Sequence, residues 1–93
     1  GARLVCAGLV ETHIHLDKSC LCDRCGPTGT LKEAIAAVAA LKRDFTEEDV
    51  YRRASATLEK AILQGTMRMR AHVEVDPRVG LRSFAAMKRL KRD

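Results

Sequence analysis

The sequence predicts an α/β chain, a partial TIM-type (β/α)8 barrel of about two β/α units in the order strand, helix, helix, strand, helix. Three observations carry that expectation. Residues 10–17 and 66–76 each alternate polar and apolar side chains almost without interruption, which is the period of a strand. Between and after them, apolar residues recur at helical spacing behind capping residues. Both strands keep one face strongly polar, whereas strands of an open doubly wound sheet are apolar throughout because helices cover both sides. A closed barrel resolves the difference, since its polar face lines the inside near the strand C-termini. Such a barrel takes about 250 residues, so a chain this short supplies roughly two of its eight strands and reads as a fragment of a longer one.

Composition narrows the class. The 93 residues are 46% hydrophobic and 31% charged, a globular composition. No apolar run approaches the roughly 20 residues that span a bilayer, and Gly1-Ala2-Arg3 lacks the plan of a secretion signal. The expectation is a soluble, cytoplasmic protein with no membrane partner. A net charge of +5 and 17 Lys and Arg residues invite a nucleic-acid reading. The basic residues are interleaved with acidic ones and aromatic content is only 3%, which leaves little for base stacking. Nucleic acid is therefore not an expected partner, and Lys88, Arg89, Lys91 and Arg92 read as a solvated helix face.

In the first strand, Glu11, His13, His15 and Asp17 share one face and Val10, Thr12, Ile14 and Leu16 the other. Two imidazoles at i and i+2 can converge on one ion, and a strand holds them with little ordering entropy left to lose. The competing reading is an ordinary half-exposed strand with its polar side in water. Lys18 falls on the opposite face if the strand extends that far, which argues against a carbamylated-lysine bridge from this position.

Cys20, Cys22 and Cys25 follow, with Cys6 upstream. Cys22-x-x-Cys25 is a single pair rather than the two half-sites of a structural zinc site. Reduced thiols in a loop are the expected state, and a small Cys/His zinc-binding module is the alternative. Gly26-Pro27-Thr28-Gly29 reads as a turn and Thr30-x-x-Glu33 as a capping box opening a helix to about Lys42, with Leu31, Ala34, Ile35, Val38 and Leu41 as its buried stripe. The next helix opens at Thr46, with Phe45 and Val50 as a hydrophobic staple and Asp49 as the acidic box residue. Val50, Ala54, Leu58, Ala61 and Ile62 form its apolar face, and Gly65 ends it.

The second strand places Arg68, Arg70, His72, Glu74 and Asp76 on one face, and Met67, Met69, Ala71, Val73 and Val75 on the other, packed under helices. After Asp76-Pro77 a third helix carries Leu81, Phe84, Ala85, Met87 and Leu90. His72 and Glu74, like Asp17, either orient His13 or His15 through the free ring nitrogen or contact substrate. The alternative is a buried ion-pair network of His72, Glu74 and Asp76 with Arg68 and Arg70.

Residues 8–18, Gly-Leu-Val-Glu-Thr-His-Ile-His-Leu-Asp-Lys, resemble the first-strand motif of the metal-dependent amidohydrolase superfamily, and within it the cytosine deaminase-like branch, which includes the N-isopropylammelide amidohydrolases. The similarity extends through Gly29-Thr30-Leu31, residues 44–50, and Arg68-Met69-Arg70-Ala71-His72-Val73-Glu74-Val75-Asp76, similar to an Arg-Thr-His-Val pattern followed by an acid. Ala71 replaces the Thr of that pattern, and the cysteine-rich loop also departs from it. The resemblance implies a hydrolase that cleaves carbon–nitrogen bonds other than peptide bonds, deaminating a cytosine-like or related nitrogen heterocycle with one divalent metal ion, zinc or iron. It makes His13 and His15 the metal ligands from the first strand. It also implies that a third His, an Asp and the proton-handling residues come from later strands, so that residues 1–93 alone would be inactive. A non-catalytic module that forms a homo-oligomer or binds a partner is the alternative from another class.

Overall fold

The computed structural model describes residues 1–93. Its elements are β1 (Leu9–Ile14), α1 (Leu31–Leu41), α2 (Glu47–Leu63), β2 (Thr66–Ala71) and α3 (Arg82–Arg92), with 3-10 turns at Leu16–Lys18 and Lys42–Asp44. The two strands pair in parallel, an arrangement that a long crossover such as α1–α2 makes possible. The chain is therefore mixed α/β with a two-stranded parallel sheet, and no helix is long and apolar enough to cross a membrane.

Both strands are shorter than their alternating patterns. The register runs Leu9 to Thr66, Val10 to Arg68, Glu11 to Met69 and Ile14 to Ala71. β2 thus carries an extra residue at Met67, and β1 one between Glu11 and Ile14. Beyond Ile14 the expected strand turns inward and buries Leu16 and Asp17. Beyond Ala71, only His72 continues the pairing, donating its N–H to the Ile14 carbonyl at 2.8 Å. The cause lies in side chains that bond to backbone and compete with the ladder. Asp17 Oδ2 accepts the Glu74 N–H at 3.0 Å, and Asp76 Oδ1 accepts the N–H groups of Arg78 and Val79 at 2.7 and 3.2 Å. Gly8 sits where the strands begin, and a Cβ there would lie 2.7 Å from Met67 Cβ.

The helix starts follow their caps. Thr30 Oγ1 accepts the Glu33 N–H at 3.3 Å while the Glu33 carboxylate accepts the Thr30 and Gly29 N–H groups at 3.0 and 2.8 Å, a complete capping box. Thr30→Ala should cost about 1 kcal/mol; urea unfolding and hydrogen exchange across α1 would check it, and unchanged protection of the first turn would refute it. At α2, Thr46 Oγ1 accepts the Asp49 N–H at 3.1 Å, but the Asp49 carboxylate makes no reciprocal bond and turns to arginines instead. Gly65 has φ +93°, the left-handed conformation that ends α2 without a Cβ penalty.

The core lies among the helices and loops rather than under the sheet. Leu21, Phe45, Val50, Val79 and Ala86 form it, with Val38, Leu41, Tyr51 and Met87 packed alongside. Only the C-terminal end of the expected α1 stripe joins this core, and Leu31 and Ile35 are exposed. On α3, Ser83 and Ala86 are buried and Met87 packs against the core, while Phe84, and Leu81 just before the helix, are exposed, so only part of the expected apolar set faces inward. A groove of about 630 Å³ opens between β2, α2 and α3, lined by Leu58, Met69, Val73, Phe84, Met87 and Leu90. The radius of gyration is 15.4 Å, against about 12 Å for a compact chain of this length. Leu9, Val10 and Met67 are exposed, so the strands are left largely uncovered.

Candidate metal centre

His13 lies at the end of β1, His15 directly after it and His72 directly after β2. All three therefore gather at the C-terminal ends of two parallel strands, where α/β proteins build their sites. The ring centroids of His13 and His15 are 5.3 Å apart and tilted by 57°. Two imidazoles sharing a tetrahedral ion, with metal–nitrogen bonds of about 2.0–2.1 Å, place their centroids about 5 Å apart. The pair has that spacing. His72 instead stacks on His13, at 3.9 Å and 19° between planes, and is 5.8 Å from His15. Stacked rings cannot aim lone pairs at one point. No group of three or more His, Cys, Asp or Glu side chains is placed to hold an ion. Burial and the neighbouring His13, His15 and Arg70 push His72 below the ordinary imidazole range, which keeps it neutral at pH 7.

The other residues of the polar faces are distributed differently from the alternating pattern. The Glu11 carboxylate accepts the His13 N–H at 2.9 Å and is used locally. Asp17 leaves the strand face for the interior, with its side chain 2% exposed and Oδ1 3.9 Å from His15 Nδ1. Glu74 and Asp76 pair with lysines rather than with Arg68 and Arg70. Lys18 Nζ donates to Glu74 Oε1 at 2.5 Å, and Lys42 Nζ contacts Glu74 Oε2 and donates to Asp76 Oδ2 at 3.0 Å. Burial alone would raise the Glu74 carboxyl, but the bonds from Lys18 and Lys42 outweigh it and hold it below its ordinary value. Lys18 thus reaches toward the site side because the strand has already ended.

α2, expected to be scaffold, supplies the residue that holds this corner. Arg53 is 4% exposed, and its Nη1 donates to the carbonyls of Asp17 and Ser19 at 2.9 and 2.7 Å. Its Nε donates to Asp49 Oδ2 at 2.9 Å, and Arg24 grips the same carboxylate with two bonds of 2.6 and 3.0 Å. Ser19 Oγ returns a bond to the Leu16 carbonyl at 2.7 Å. The i, i+4 spacing of Asp49 and Arg53 was a readable signal for one of these contacts; the others join distant segments and had none. The four cysteines are free thiols. Leu21 in the core and Arg24 on Asp49 anchor the loop that carries three of them.

The chain matches no known protein-family model and no curated protein.

Proposed function

We propose that the chain is the N-terminal part of an amidohydrolase-type barrel of the cytosine deaminase-like kind, in which His13 and His15 form half of a mononuclear metal site. The observation that carries the reading is their proximity at the C-terminal ends of parallel strands, with a ring spacing that suits a shared ion. The reaction is hydrolytic removal of an amine from a nitrogen heterocycle. A zinc or iron ion held there would lower the pKa of the attacking water, the water being supplied by solvent and the ion by the site. His13 and His15 donate lone pairs to it, and neutral His72, stacked on His13, presents one donor and one acceptor to a heteroaromatic ring. Glu74, ionised and engaged by two lysines, stays out of proton transfer and stiffens the strand ends. On this reading the remaining ligands and the proton-handling carboxylate come from later strands, which would pack against the groove beside β2.

Metal binding tests it. Titrated with Zn²⁺ against a weakly chelating dye, the chain should bind one ion weakly, as two of the site's ligands allow, His13→Ala or His15→Ala should each weaken that binding by at least about 10-fold, and His72→Ala should leave it unchanged. Undiminished binding in both ligand variants, or no binding by the parent chain, would overturn the assignment. A second reading, a non-catalytic module that assembles with another copy, draws on the open groove and on exposed Leu81 and Phe84. It predicts a folded oligomer in sedimentation and no histidine-dependent metal.

A further inference from the structure

We infer that Asp17 is the positioning residue for His15, accepting a hydrogen bond from Nδ1–H and so presenting the Nε2 lone pair outward. The inference rests on the metal-site reading for its purpose, while its geometry stands alone. Asp17 is fixed at two points. Its carbonyl accepts from Arg53 Nη1 at 2.9 Å, and its Oδ2 accepts from the Glu74 N–H at 3.0 Å. Its backbone is therefore tied to α2 and its carboxylate to the chain leaving β2, which holds the side chain in the interior.

Its second oxygen, Oδ1, is buried without a partner, and so is His15 Nδ1. The two atoms lie 3.9 Å apart. Buried polar atoms without partners are rare and costly, and here one small movement satisfies both. His15 is the partner free to make it, because its side chain is 34% exposed while that of Asp17 is 2% exposed. Neutral imidazole carries one proton, and a fixed carboxylate beside Nδ1 selects the Nδ1–H form. Histidines that bind metal commonly donate their other ring N–H to a carboxylate in this way.

Asp17→Asn tests the inference. Asparagine keeps an acceptor for the Glu74 N–H but places an NH₂ group opposite His15 Nδ1, which selects the Nε2–H form. Long-range proton–nitrogen correlation spectra of the metal-free chain, taken above the ordinary imidazole range and assigned with His13→Gln and His72→Gln, should show Nδ1–H at His15 in the parent and Nε2–H in Asp17→Asn. Zinc affinity, measured by competition with a chelating dye, should fall by about 10- to 100-fold, with the urea midpoint little changed. An Nε2–H tautomer in the parent, or the same tautomer and affinity in both chains, would overturn the inference. If the tautomer switches as described and neither chain binds zinc, Asp17 does position His15 and the metal assignment is the part that fails. Should Asp17→Asn not fold, the parent tautomer alone decides.

Discussion

Replacing Arg53 with alanine should destabilise the chain by about 3 kcal/mol or more, the usual result of removing one partner from a buried, hydrogen-bonded charge pair. The guanidinium serves three segments at once. It accounts for the carbonyls of Asp17 and Ser19, holds Asp49 from within its own helix, and lies 4.6 Å over the Phe45 ring centroid. Alanine leaves two carbonyls without their donor and opens a void beside Phe45, itself 2% exposed. Arg53→Lys retains a charge but not the planar fork that spans two carbonyls and a carboxylate, so it should recover only part of the loss. Urea unfolding followed by circular dichroism measures both variants. A loss below about 1 kcal/mol for alanine would show that the guanidinium is no more valuable than a surface ion pair, and the account of the Leu16–Lys18 turn would have to be withdrawn.

Arg53 also marks the boundary of what the sequence discloses. Local chemistry was legible: Thr30 and Glu33 form their box, Thr46 caps α2, Gly65 ends it, and the order of elements gives parallel strands. The histidines, too, fall at one end of the sheet as their positions on the two alternating segments suggest. The strand ends were not legible. Alternation through residues 15–17 and 72–76 continues in the sequence, but a strand persists only while its backbone groups have a ladder to join. Here the carboxylates of Asp17 and Asp76 take up backbone N–H groups instead, and Asp17 does so across 57 residues of chain. Such long-range bonds leave no periodic trace. The same reason explains Lys18 and Lys42, whose common partner Glu74 lies far from both in the sequence. α3 differs for another reason. Small Ser83 and Ala86 permit close approach to the core, so packing overrides the larger apolar residues that dominate its pattern.

The acid limb of stability should be steep, because Asp49, Glu74 and Asp76, three carboxylates that join distant segments, are held below their ordinary range. At Asp49 the bonds from Arg24 and Arg53 outweigh the burial that would raise it. Asp76 is brought to about 2 by Lys42 first and then by the Arg78 and Val79 N–H groups, against an opposing contribution from burial. Glu74 is lowered by Lys18 and Lys42 despite burial. A carboxyl with a depressed folded pKa contributes its stability in full above the unfolded value of about 4, and the contribution is lost as pH falls toward the folded value. The unfolding free energy should therefore be nearly level from about pH 7 to 5 with respect to these groups, then decline below about pH 4. Lys42→Met separates the contributions. It removes the shared partner of Glu74 and Asp76, so it should lower stability at neutral pH and flatten part of the acid decline, leaving the shares due to Asp49, to Lys18 at Glu74 and to the Arg78 and Val79 N–H groups at Asp76. Asp49→Asn should remove the Asp49 share. Urea titrations across this pH range in the parent and both variants give the answer, and an acid decline of equal depth in all three would show that these pairs are screened surface contacts. The order of loss matters for the site as well, since Glu74 and Asp17 are joined through one backbone bond. Protonating Glu74 loosens the segment that fixes Asp17, and with it the orientation of His15.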